Sequence, residues 1–262
     1  MSDSFHVSRK VLTDRHSALA RGNGFVSDDA VDVLHLINRH ISADRTVKAG
    51  CDLFRAGDKG DAIYNFIDGW VALYNLLEDG RRQILQFAFP GAVLAFVPAL
   101  HEGMHFSAQA LTDTVVCTTS HEKLGRISRD KPEIGMRIAG LISQDLSRAF
   151  DQLSMLGLRS ARERVAYLLL ELFVRCRKRW PGLHGEEMFL PLTQEHIGDA
   201  TGLTGVHVNR VLRDLRKEGI VEFHYRRLMI INSEKLVAVA GIAPLVALSW
   251  LQDGLPKAGD YH

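Results

Sequence analysis

The stretch LTQEHIGDATGLTGVHVNRVLRDLRKEGIVEF, residues 192–223, decides the fold of the C-terminal half of the chain. Thr193 is placed to cap a short helix whose Ile197 and Ala200 point inward, Gly202 supplies a turn, and Thr204 caps a second helix. At about 3.6 residues per turn, Val208, Val211, Leu212 and Leu215 of that second helix fall on one apolar stripe. Its other face carries Val206, Arg210, Arg213 and Lys217, flanked by Asn209. After Gly219 the runs IVEFHY and RLMIIN, joined through Arg226 and Arg227, read as a β-hairpin. Two short helices, a glycine turn and a following hairpin make a winged helix-turn-helix, in which the N-terminal part of the second helix enters a DNA major groove.

This pattern assigns chemistry to particular residues. The planar fork of Arg210 suits guanine O6 and N7, and Asn209 suits a base or a phosphate. Thr193, Gln194 and Thr204 stand where phosphates pass, His207 is a phosphate contact or an incidental surface residue, and Arg213 lies further along, toward the backbone. The bland alternative is a solvated helix in a domain that binds protein.

Upstream, the region from about Pro132 to Trp180 is free of internal proline, and its first part holds Ala139, Ile142, Leu146, Ala149, Leu153 and Leu156 at spacings of three and four. Such a heptad seam is a helix laid on its own barrel or the two-fold contact of a homodimer, and its neighbourhood favours the dimer. Gly157 ends or bends it. A second helix, from about Ser160 to Arg179, buries Val165, Leu168, Leu169, Leu172 and Phe173, and WPGLHGEE reads as a loop. From about Thr46 to Ile127, short apolar runs (AIYNFI, WVALYNLL, QILQFAF, TVVCTTS) alternate with turn signals at Gly57, Gly60, Gly69, Asp79-Gly80 and Pro90-Gly91. That is the pattern of an antiparallel β-barrel or jelly roll of about eight strands. Val31, Leu34, Ile37 and Ile41 recur at helical spacing before it.

The expected class is therefore α+β. A flexible arm spans 1–27, a helix and β-barrel sensor domain 28–131, a dimerisation helix 132–158, a winged helix-turn-helix 159–240 and a tail 241–262.

Composition narrows the function. A length of 262 residues, 46% hydrophobic and 24% charged, suits two soluble domains. No apolar run approaches the roughly 20 residues that cross a bilayer, and MSDSFHVSRK lacks the apolar core of a signal peptide, so a cytoplasmic protein without a membrane partner is expected. The formal charge of +1 conceals two basic stretches, one holding Arg159, Arg162, Arg164, Arg175, Arg177, Lys178 and Arg179, the other Arg210, Arg213, Arg216, Lys217, Arg226 and Arg227. Cys51, Cys117 and Cys176 are far apart and form no CxxC pair, which points to reduced structural thiols. No GxSxG, HExxH, P-loop or dinucleotide fingerprint occurs, so an enzyme is not expected.

With these residues in order, the chain resembles the CRP/FNR family of bacterial transcription regulators along nearly its whole length. The resemblance rests on FRAGDKGDAIYNFIDGWVALYNLLEDGRRQILQFAFPGAVL in the barrel, the long helix, and LTQEHIGDATGLTGVHVNRVLRDLRKEGIV at the end. It implies a homodimer on a palindromic promoter site in double-stranded DNA, in contact with RNA polymerase. Two departures matter. Members that bind cyclic AMP carry a Gly-Glu pair and an Arg before a Ser or Thr, where this chain, anchored on Ser107-Ala108, has Ala95, Phe96 and Phe106. A cyclic phosphate would lose its guanidinium there, so cyclic nucleotides are not expected. The reading helix has Val206 where the family commonly has a cytosine-reading Glu; a valine packs on a thymine methyl instead.

Leu94, Phe96, Phe106 and Ser107, with Val97, form a candidate effector pocket or simply fill the barrel. His101 and His105 read as surface histidines rather than haem or metal ligands, and no cysteine precedes Cys51 to hold an iron–sulfur cluster. No cofactor is expected and the effector is left open. The rival to a DNA-binding regulator is an interaction scaffold that uses the barrel and winged helix without reading sequence.

Overall fold

The computed structural model describes residues 43–60, 62–94, 103–177 and 186–242. The N-terminal arm, the helix expected over 28–41, Phe96, Val97, His101, Lys178, Arg179 and all but two residues of the tail lie outside them.

The N-terminal strands are β1 (Ala43–Val47), β2 (Asp52–Phe54), β3 (Ala62–Asp68), β4 (Val71–Leu76), β5 (Arg82–Ala88), β6 (Val93–Leu94), β7 (Ser107–Ala110) and β8 (Thr114–Ser120). They form two antiparallel four-stranded sheets, ordered β1-β8-β3-β6 and β2-β7-β4-β5. The expected barrel is thus a jelly roll of two facing sheets rather than one closed ladder among the described residues. Both sheets contribute to a shared interior of Val47, Leu53, Phe54, Phe66, Val71, Leu73, Leu94, Ala108 and Val116. The tight β3–β4 connection depends on Gly69, at φ 91°, because a Cβ there would lie 2.4 Å from Thr114 Oγ1.

Strand β4 runs Val71, Ala72, Leu73, Tyr74 with all four side chains buried. Alternation explains this only if both faces of the sheet are covered. Val71 and Leu73 enter the jelly-roll interior, whereas Ala72 and Tyr74, with Ile84 and Phe87 of β5, join the hydrophobic core of the C-terminal domain. The two halves are therefore fused through one outer sheet face.

After β8, Ser120 caps helix α1 (His121–Asp130) by accepting the Lys123 N–H at 3.2 Å. The sequence pattern had run this segment into the strands. Pro132 opens α2 (Pro132–Leu158), 27 residues and about 40 Å long, with proline at the first helical position, where its missing N–H costs nothing. Ile134 and Ile138 pack on Ile127 of α1, and Met155 enters the C-terminal core. Between these anchors Ile142, Leu146, Ala149, Phe150 and Leu153 stand exposed, Leu146 at 54% and Leu153 at 66%. Leu156, expected in the same seam, is half-buried against the C-terminal core.

Helix α3 (Ala161–Arg177) is buried over more than the stripe its periodicity suggested, because Ala166, Tyr167, Leu170, Val174, Arg175 and Cys176 are also enclosed. It forms the floor of the C-terminal domain, against which α4 (Gln194–Thr201), α5 (Gly205–Lys217) and α6 (Ser233–Ala240) pack. Strands β9 (Glu186–Phe189), β10 (Val221–His224) and β11 (Arg227–Ile230) make an antiparallel sheet ordered β10-β11-β9. Glu186 and Glu187, expected in a loop, begin β9.

Polar contacts reinforce the fusion of the halves. Arg82 of β5 pairs through Nε with Asp199 Oδ2 of α4 at 2.7 Å and donates to Gln109 Oε1 at 3.0 Å. Gln86 Nε2 donates to Asp145 of α2 at 3.1 Å. Arg175 reaches from α3 to donate to the Phe87 carbonyl at 3.1 Å. Among the described residues, no helix is long and apolar enough to cross a membrane.

Candidate nucleic-acid interface

Local hydrogen bonds set the two helices of residues 192–223. Thr193 Oγ1 accepts the His196 N–H at 3.1 Å, and His196 Nδ1 accepts the Thr193 N–H at 3.3 Å. This is a reciprocal capping box with histidine in the place usually taken by Glu or Gln. Burial first, and then the nearby Arg82 guanidinium, hold the His196 pKa below its ordinary value, in keeping with an unprotonated, accepting Nδ1. Gly202 ends α4 in the left-handed region at φ 68°, its N–H bonded to the Gly198 carbonyl. The Leu203 N–H bonds the same carbonyl at 2.9 Å. The chain turns back so closely that a Cβ on Gly198 would lie 2.5 Å from the Leu203 oxygen.

Thr204 then caps α5, accepting the His207 N–H at 3.3 Å. Val208, Val211, Leu212 and Leu215 are buried as the spacing requires. Val206, Asn209, Arg210 and Arg213 are exposed together, Val206 at 84%. Arg210 lies four residues after Val206 and three before Arg213, with Asn209 three after Val206 and four before Arg213, so the four share one arc of the helix. His207 is half-buried at the edge of that arc. Thr193 and Gln194, both half-buried, bring the start of α4 beside it, where Asn209 Nδ2 donates to Gln194 Oε1 at 3.0 Å.

Charge on this arc is uncommitted. Among the described residues, Arg210 and Arg213 enter no ion pair, whereas Arg216 pairs with Glu222 at 3.0 Å. The earlier basic stretch differs, for its described members serve the fold. Arg159 donates to the Ala240 carbonyl and stacks on Tyr167 with 4.8 Å to the ring centroid. Arg162 grips Glu218 with both terminal nitrogens, one at 2.6 Å, Arg164 donates to the Thr201 carbonyl at 2.8 Å, and Arg177 donates to the Glu187 carbonyl at 2.6 Å. Arg175 is buried and paired with Glu171 at 2.9 Å. A crowd of arginines in sequence is therefore not a basic face in space. The wing ends in Tyr225 and Arg226, both with positive φ, the geometry of a two-residue hairpin turn that follows the strand twist.

In the N-terminal domain, Leu94 belongs to the jelly-roll interior and Phe106 packs on it, its ring edge-on to Phe54 at 5.8 Å between centroids. Ser107 is buried, its hydroxyl accepting the Ala56 N–H at 3.0 Å. Cys117 and Cys176 are buried and Cys51 is exposed.

Comparison with known proteins gives a consistent result. A family model described as cyclic nucleotide-binding domain matches residues 44–131, and one described as Crp-like helix-turn-helix domain matches residues 163–239. The nitrogen fixation regulation protein FixK of Bradyrhizobium diazoefficiens is 34% identical over 209 residues, which is 79% of this chain and 83% of FixK. The fumarate and nitrate reduction regulatory protein of Salmonella typhimurium is 30% identical over 209 residues, covering 79% of this chain and 82% of that protein. Among solved structures, FixK2 from Bradyrhizobium japonicum superposes with a TM-score of 0.69 at 28% identity, over 77% of this chain and 98% of FixK2.

Proposed function

Since the chain belongs to the CRP/FNR family of transcription regulators, we propose that it binds a palindromic promoter site as a homodimer, inserting α5 of each protomer into the major groove. The observation that carries this reading is the arc of Val206, Asn209, Arg210 and Arg213, exposed on a capped helix with two uncommitted guanidiniums. Arg210 reads a guanine, and Val206 packs on a thymine methyl. Thr193, Gln194, Thr204, His207 and Arg213 hold phosphates on either side.

The exposed leucine and phenylalanine stripe of α2 supports the homodimer, with Ile142, Leu146, Ala149 and Leu153 at the seam and Leu156 at its margin. Contact with RNA polymerase is part of the same proposal and rests on the family resemblance alone. The chain works in the cytoplasm and has no catalytic role. Control by cyclic AMP is disfavoured by Phe106, an apolar ring packed against the jelly-roll interior at the position where the resemblance would put the family's phosphate-binding arginine.

The test is fluorescence anisotropy on a palindrome selected from random duplexes, against scrambled duplexes, across roughly 50 to 200 mM salt. Binding that falls linearly in log affinity with log salt, and that prefers the palindrome, is expected. Equal affinity for all duplexes, or none, would support a protein-binding scaffold instead.

A further inference from the structure

The hydrogen bond between Asn209 and Gln194 carries more than packing. Asn209 is exposed, three residues after Val206 and one before Arg210, in the N-terminal half of α5. A carboxamide offers two N–H donors and an oxygen with two lone pairs, and its terminal torsion is broad and roughly two-fold. Unrestrained, such a group presents either end to a base and discriminates poorly. Here one N–H is spent on Gln194 Oε1 at 3.0 Å, and Gln194 is itself anchored as the first residue of α4 behind the Thr193 cap. That bond holds the Asn209 side chain in one place and, with its nitrogen toward Gln194 Oε1, leaves the oxygen and the second N–H for the groove.

We infer that Gln194 is a positioning residue that holds Asn209 as an adenine reader, its remaining N–H donating to N7 and its oxygen accepting from N6, at the base pair beside the guanine read by Arg210. An oxygen and an N–H on one amide match adenine, because adenine alone sets an acceptor beside an amino donor in the major groove. The neighbouring Val206 points the same way, since a pair that offers N6 and N7 on one strand offers a thymine methyl on the other. This inference rests on the reading of the chain as a DNA-binding regulator.

Selection from a random duplex pool with the full-length protein and its variants tests it. The unaltered protein is expected to enrich a palindrome with an A·T pair next to the guanine. Asn209→Ala should keep the palindrome and the guanine and lose the adenine preference by about ten-fold or more. Gln194→Ala should weaken that preference, and Gln194→Glu should restore it at a lower overall affinity, because a carboxylate can only accept and so still takes the Asn209 N–H while repelling the phosphate. Asn209→Asp, an acceptor only, should shift the preference toward cytosine. Adenine preference unchanged in either alanine variant overturns the inference, as does an equal loss on every duplex, the mark of a phosphate contact. If the unaltered protein enriches no palindrome, the DNA-binding reading itself falls, and this inference with it.

Discussion

Replacing Arg175 with alanine should unfasten the C-terminal domain from the jelly roll. Its side chain is enclosed, with Nη1 donating to Glu171 at 2.9 Å, Nη2 to the Phe87 carbonyl at 3.1 Å, and its guanidinium carbon 4.6 Å from the Phe89 ring centroid. The charged hydrogen bond is worth about 1.5–3 kcal/mol, the bond to the carbonyl about 1 kcal/mol and the stacking about 0.5–1 kcal/mol. The expected loss is therefore about 4 kcal/mol, in line with the roughly 3–5 kcal/mol lost when one partner of a buried pair is removed. Because Glu171 would lose its hydrogen-bonded partner in a largely enclosed site, Arg175→Met combined with Glu171→Leu should cost much less than Arg175→Ala alone. Urea unfolding followed by circular dichroism and by tryptophan fluorescence, to which Trp70 of the shared core contributes, measures both. A loss under about 1 kcal/mol in Arg175→Ala, or a double variant as unstable as the single one, would refute the reasoning.

Three further outcomes are expected. Leu146→Asp, at an exposed position of the α2 stripe, should leave the fold intact and shift sedimentation from dimer to monomer. Gly198→Ala should lower stability by about 1–3 kcal/mol in thermal melts, since the added Cβ meets the Leu203 carbonyl, whereas Gly205→Ala, whose nearest neighbour is 3.7 Å away, should be tolerated. His196 takes a proton less readily in the folded chain, because burial and then Arg82 and Arg226 disfavour the charge, against the opposing pull of Asp199 and Glu195. The unfolded chain thus binds the proton first, so stability should fall as pH drops below about 6.5, and His196→Gln, which keeps the capping box, should flatten that dependence in melts at different pH.

The helix-turn-helix was legible in the sequence because its determinants are local. Thr193, Gly202 and Thr204 act on backbone groups three or four residues away, and the Val208 to Leu215 stripe is a simple periodicity. The reciprocal box at Thr193 was harder to read, since histidine stands where Glu or Gln gives the usual signal. What the sequence hid depends on partners distant in the chain. Arg82 meets Asp199 across 117 positions and Arg175 meets Phe87 across 88, so both read as surface charge until the fold brings their acceptors in. The double burial of β4 was hidden for the same reason, as alternation tells which residues share a face but not what covers it. Strand β9 was missed because Glu186 and Glu187 are polar, and only pairing with β11 makes them extended.

The central claim is that the Val206 to Arg213 arc of α5 reads duplex sequence, and Arg210→Ala tests it most directly. Base preferences of the folded variant and the unaltered protein should be compared on single-base substitutions of one selected palindrome. Loss of the guanine preference by about ten-fold or more, with other positions little changed, is the expected result. A variant that remains folded and discriminates guanine as well as the unaltered protein would contradict the account.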